Sequence, residues 1–125
     1  MAAAPVWGGE WIELFNGTDL TNWGGAGKTE VNGYVAKDGM IESTPKCRNL
    51  ITDQEFADYI LEFEFQLTPG ANNGLGIHYP GTGNPAYAGM ELQILDNTAE
   101  KYADLKPYQF HGSLYSLEAA DYFGK

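Results

Sequence analysis

One stretch restricts the fold more than any other: Tyr59-Ile-Leu-Glu-Phe-Glu-Phe-Gln-Leu67. Tyr59, Leu61, Phe63, Phe65 and Leu67 fall on one side at a period of two, and Ile60, Glu62, Glu64 and Gln66 fall on the other. That spacing matches the pleat of a strand, whose successive side chains leave opposite faces, and not the 3.6-residue repeat of a helix. It predicts a strand with one face in a core and one toward water or a groove. Pro69-Gly70 ends it.

The rest of the chain repeats the pattern in shorter pieces. Trp11 to Phe15 alternates and stops at Asn16-Gly17, a strong turn signal. Asp19 to Trp23 reads as a short turn tucking Leu20 and Trp23 inward. Residues 29–36 and Met40 to Ser43 make a hairpin around Lys37-Asp38-Gly39, where Asp-Gly readily adopts positive φ. Asn49 to Thr52 is another short strand, and Asp53 to Ala57 a turn. Leu75 to Tyr79 is a strand with Gly76 and His78 on its polar side. A loop over Pro80 to Pro85 leads to Met90-Glu-Leu-Gln-Ile-Leu-Asp96, with Met90, Leu92 and Ile94 facing one way and Glu91 and Gln93 the other. Asp96 falls on the apolar parity, which places it past a bulge or at the strand end. Residues 97–107 read as loop, with room for one helical turn at Ala99 to Ala103.

Short strands separated by turn signals, with sixteen glycines and six prolines in 125 residues, point to an all-β sandwich or jelly roll. The length suits one domain with a substantial core. We place residues 1–10 in an N-terminal extension and residues 11–125 in the domain. A net charge of −10, from 17 acidic and 7 basic residues, excludes the basic stripe that nucleic-acid binding requires. No apolar run is long enough to span a membrane. Met1-Ala-Ala-Ala-Pro5 has neither the charged nor the apolar region of a signal peptide, so it reads as a mature start. Cys47 is the single cysteine and has no neighbouring acid or base in sequence, which argues against a catalytic thiol.

Several motifs resemble the 3-keto-disaccharide hydrolase family. Leu14-Phe-Asn-Gly-Thr-Asp-Leu20 followed by Trp23 is similar to its opening. Asn72-Asn-Gly-Leu-Gly-Ile77, Pro85-Ala-Tyr-Ala-Gly-Met-Glu-Leu-Gln-Ile-Leu-Asp96 and His111-Gly-Ser-Leu-Tyr115 resemble its central motifs in order. The resemblance implies a concanavalin-like jelly-roll sandwich, a periplasmic or secreted bacterial setting, and a substrate that is an oligo- or disaccharide derivative oxidised to a ketone at C3. It also implies further strands after the Gly-Ser-Leu-Tyr segment, including a Trp-Asn segment and an Asn-Gly hairpin. The sequence does not contain these, so the sandwich is expected to be incomplete, or completed by another chain or a second copy. His78 stands where many relatives carry Arg.

The candidate site residues follow from the residues and the resemblance together. Glu91 and Gln93, two apart on one strand face, emerge side by side. Glu91 can serve as general base or hold a cation, and Gln93 can bond a sugar hydroxyl; the bland alternative is a solvated outer face. Asp96 is either an Asx turn or a metal ligand paired with Glu91, and Glu62 or Glu64 could add oxygen donors for a divalent cation. His78, beside small Gly76, is either structural or ligand-binding. His111, amid Tyr108, Phe110 and Tyr115, is the foremost candidate for proton transfer, since imidazole titrates near neutrality. Tyr108 and Tyr115 are the candidate sugar-stacking rings. The function that the resemblance implies is elimination from a 3-keto-glycoside: His111 or Glu91 removes the proton at C2, a divalent cation or Gln93 stabilises the enediolate, and the C1 substituent departs with a second acid assisting its oxygen. The alternative is a non-catalytic carbohydrate-binding module, because fold alone does not separate the two.

Overall fold

Strand pairing in the computed structural model follows the turn chemistry closely. The structure describes residues 2–4, 9–25, 27 and 29–121. Two units divide the chain, Met1–Phe65 and Gln66–Lys125. The first holds β1 (Ala2–Ala4), β2 (Ile12–Glu13), β3 (Trp23–Gly25), β4 (Tyr34–Lys37), β5 (Met40–Ser43), β6 (Leu50–Thr52) and β7 (Ile60–Glu62). The second holds β8 (Asn72–Ile77), the single-turn helix α1 (Pro85–Ala88) and β9 (Met90–Leu95).

In the first unit β1 lies antiparallel between β2 and β7, so part of the expected N-terminal extension is a strand. β3 pairs with β6, and β4 with β5. The β4–β5 turn has two residues, with Lys37 opposite Met40; Asp38 (φ 51°) and Gly39 (φ 76°) are both left-handed. Positive φ at both central positions defines the turn whose twist matches the flanking strands. Ahead of β3, the Asn16 Oδ1 accepts the amides of Thr18 and Asp19, and the Trp23 indole donates to the Leu14 carbonyl at 2.6 Å. The expected inward turn of Leu20 and Trp23 is present, with both half-buried. Cys47 packs beside Tyr34, whose phenol is pushed up to about 12 by burial first and by the hydrogen-bonded Cys47 second.

The long strand expected over 59–67 is paired only at Ile60–Glu62. Its alternation persists for two residues beyond: Phe63 is half-buried and Glu64 exposed, while Phe65 is 50% exposed. The cause is the partner. β1 supplies three residues opposite β7, and a period-two sequence becomes a strand only where another backbone accepts its hydrogen bonds.

The fold is all-β, as the sequence indicates, but its sheets have two or three strands each and do not close into a sandwich. Among the described residues the buried apolar side chains are Ala86, Ile94 and Leu95, all on α1 and β9. The loop expected over Pro80 to Pro85 gives way to α1 at Pro85. Asn84 caps it by accepting the Ala86 amide, and Pro85 fills its first position.

Candidate functional site

β8 and β9 form a ladder in which Gly76 faces Glu91, Leu75 faces Leu92 and Gly74 faces Gln93. The other side of β9 meets the segment after the strap at 106–110. Leu92 bridges Leu114, the Tyr115 amide donates to the Glu91 carbonyl at 2.8 Å, and the Gln93 amide donates to the Ser113 carbonyl at 2.9 Å. Residues directly opposite in an antiparallel ladder share a face. Two rows therefore cross one face of the sheet: Gly76, Glu91 and Tyr115, then Gly74, Gln93 and Ser113.

The second row is sealed. Gln93 is 4% exposed and Ser113 is fully buried. The Gln93 Nε2 donates to the Gln109 carbonyl at 3.2 Å, and the Ser113 Oγ donates to the Pro107 carbonyl at 3.1 Å. Gln93 shares its face with Glu91 as expected, yet its amide nitrogen holds the protein rather than standing open to solvent.

The first row is less deeply buried, with Glu91 and Tyr115 both half-buried. A Cβ on Gly74 would collide with the Glu91 carboxyl group, so the glycine is what lets this side chain lie across the sheet. Half-buried there, the carboxyl is pushed above its ordinary value by burial. A carboxylate that water solvates poorly is a stronger base than one on an open surface.

The remaining candidates lie elsewhere. The His111 amide donates to the Asn97 Oδ1 at 2.9 Å, and its ring Nδ1 accepts the Leu95 amide at 3.4 Å. That amide points the same way as the Gln93 amide, so the imidazole takes the place of the next neighbouring carbonyl in the ladder. Leu95 is four residues along from Glu91, about 13 Å of strand, and the two proposed bases therefore belong to different ends of β9. Asp96 lies just beyond the strand, as its parity suggests. Its carboxylate accepts the Gly70 amide at 2.7 Å, the Thr98 amide at 3.0 Å and the Thr98 hydroxyl at 2.6 Å. The Gly70 bond first, and the Thr98 bonds next, hold this carboxyl below its ordinary value. The Asx-turn reading describes it.

Among the described residues no group of three or more His, Cys, Asp or Glu side chains is gathered to hold a metal ion. Of the two expected donors, Asp96 is engaged by its three hydrogen bonds and Glu91 lies half-buried over Gly74. His78 is not on the strand: β8 stops at Ile77, and His78 turns to a left-handed φ of 50°, where the pleat cannot continue. Tyr108 sits half-buried in the strap, its carbonyl accepting the Ser116 amide at 3.3 Å. Tyr115 alone among the expected partners stands in the row with Glu91.

Gln109 escaped the sequence reading. Its side chain accepts the Lys106 amide at 2.9 Å and donates to the Tyr115 hydroxyl at 3.2 Å. The available signal was its place just after Pro107 in a segment otherwise rich in aromatics.

The chain is thus an all-β protein with a half-buried carboxyl lying over a glycine of the neighbouring strand. More particularly, the family model of the 3-keto-alpha-glucoside-1,2-lyase-like domain matches residues 10–122, and the chain belongs to that family. Comparison with curated proteins found no match.

Proposed function

We propose that this chain cleaves 3-keto-glycosides by removing the proton at C2 and eliminating the substituent at C1, with Glu91 as the base. The observation that carries the reading is the Glu91 carboxyl, lying over Gly74 with its pKa raised by burial. A ketone at C3 acidifies the C2 proton, and a base works best when its pKa approaches the working pH. The C1 oxygen then leaves from the enolate. Family membership supports the substrate class.

The test follows release of an aglycone from a 3-keto-glucoside. Wild-type protein releases it, and Glu91→Gln lowers the rate by about 10²–10⁴-fold, the usual worth of a positioned base. Unchanged release by Glu91→Gln would remove Glu91 from the role. EDTA belongs in the same assay, since the divalent cation expected from the sequence predicts that the chelator abolishes release. A periplasmic or secreted setting is part of the same reading and is tested by cell fractionation.

A carbohydrate-binding module is the second reading, favoured by Tyr87 on α1, whose side chain is 73% exposed. An exposed aromatic ring can stack on a sugar without any proton transfer. Sugar binding that Tyr87→Ala abolishes, without release, would establish it.

A further inference from the structure

We propose that Gln109 is a positioning residue that orients the Tyr115 hydroxyl as the proton donor to the departing C1 oxygen. This rests on the elimination reading above and adds the acid that it lacks. The direction of the Gln109 amide is fixed by its partners. The Lys106 N–H must meet an acceptor, so the Gln109 Oε1 faces Lys106 and the Nε2 faces Tyr115. The Tyr115 oxygen therefore accepts, and its own hydrogen is left to be given elsewhere. Among the described residues the hydroxyl donates to no protein acceptor. Tyr115 pairs with Glu91 across the ladder, its amide donating to the Glu91 carbonyl at 2.8 Å, so the two side chains leave the same face of the sheet.

The two most deeply buried polar side chains among the described residues serve the same strap. Gln93 and Ser113 donate to the carbonyls of Gln109 and Pro107. Burying polar groups is costly unless they are bonded, and here both bonds hold the one turn that carries Gln109. A strap needed only for packing could be held by apolar contacts. This one is fixed in register by directional bonds, which suits a side chain that must aim another group's proton.

The step balances. Glu91 takes the C2 proton, and the C–H electron pair passes through the enolate of the C3 ketone to form the C1–C2 double bond. The C1–O bond breaks with its electrons on oxygen, and the Tyr115 hydroxyl supplies the proton to that oxygen. Water returns a proton to the phenolate and receives one from the Glu91 carboxyl. The products are an unsaturated 3-keto sugar and a free alcohol.

The leaving group supplies the test. A sugar alcohol departs poorly as an alkoxide and needs the acid, whereas a nitrophenolate departs without one. Tyr115→Phe and Gln109→Glu are compared with wild type on a 3-keto-disaccharide and on a nitrophenyl 3-keto-glucoside. Gln109→Glu keeps an acceptor for Lys106 but turns the Tyr115 proton toward the new carboxylate. Each variant is expected to lose about 10²-fold or more in kcat on the disaccharide and less than about threefold on the nitrophenyl substrate. The double variant should be no worse than either single one, as for residues acting as a unit. Equal losses on both substrates, or none on the disaccharide, would overturn the role of Gln109 while the elimination reading stands. Cleavage of neither substrate by wild type would overturn both. Tyr115→Phe places no new charge in the protein, so it decides the matter should Gln109→Glu fail to fold.

Discussion

Glu91 carries a charge that its surroundings resist, and its stability effect has a definite sign. Its folded pKa is raised above 4.5, so the folded state binds this proton more tightly than the unfolded chain. The resulting contribution is fully present below about pH 4.5 and is lost as pH rises through the folded value. Glu91→Gln should therefore melt at a higher temperature than wild type near pH 7, with the gain shrinking as pH falls toward 4.5. Thermal melts at the two pH values check this, and an equal melting temperature at pH 7 would contradict it. Asp96 runs the other way: its folded pKa lies below 3.8, so its contribution holds above that value and is lost as pH falls further. These two carboxyls, alike in sequence, differ because one lies against a glycine and the other accepts three hydrogen bonds. Residue type revealed that Glu91, His111 and Tyr115 could do chemistry. It could not reveal that the His111 Nδ1 is taken by the Leu95 amide, because that depends on where a ladder ends.

At the scale of elements, turns were legible and strand lengths were not. Asp38-Gly39 announced its hairpin because few other residue pairs adopt two left-handed conformations in succession. The alternation over 59–67 gave the face of each side chain but not the extent of pairing, which the neighbouring strand decides. His78 was misplaced for the same reason, since parity says nothing of where a strand stops. The cap Asn84 and the following Pro85 were a usable helix signal that a Gly- and Pro-rich setting obscured. Backbone demands also mark a sensitive position. Gly33 has a φ of 79°, and a Cβ there would strike the Cys47 backbone. Gly33→Ala should cost at least ~2 kcal/mol, from left-handed strain and overpacking together. A fall in the urea midpoint with an unchanged m-value would register it; an unchanged midpoint would refute the packing argument.

The described residues bury little. Three buried apolar side chains among the described residues make a small core, while Trp11, Met40, Ile60, Phe65 and Leu117 are each at least half exposed. Sheets of two or three strands are marginal alone. This chain by itself should unfold with less than about 5 kcal/mol, the low end for natural domains. If a second chain completes its sheets, the unfolding midpoint will rise with protein concentration, whereas a midpoint independent of concentration would exclude that. All-β character was legible from composition and turns. The extent of closure was not, because it depends on strands meeting across sheets.

The source of the Glu91 shift has one more outcome. Burial, and no neighbouring charge, raises its pKa. Dissolved ions weaken attraction and repulsion between charges, but they do not return water to a covered group. For a neutral sugar there is also no long-range pull to weaken, despite a net charge of −10. The acid limb of kcat/KM against pH should thus lie at one position in dilute buffer and in molar sodium chloride, an unusual indifference to ionic strength for so acidic a chain.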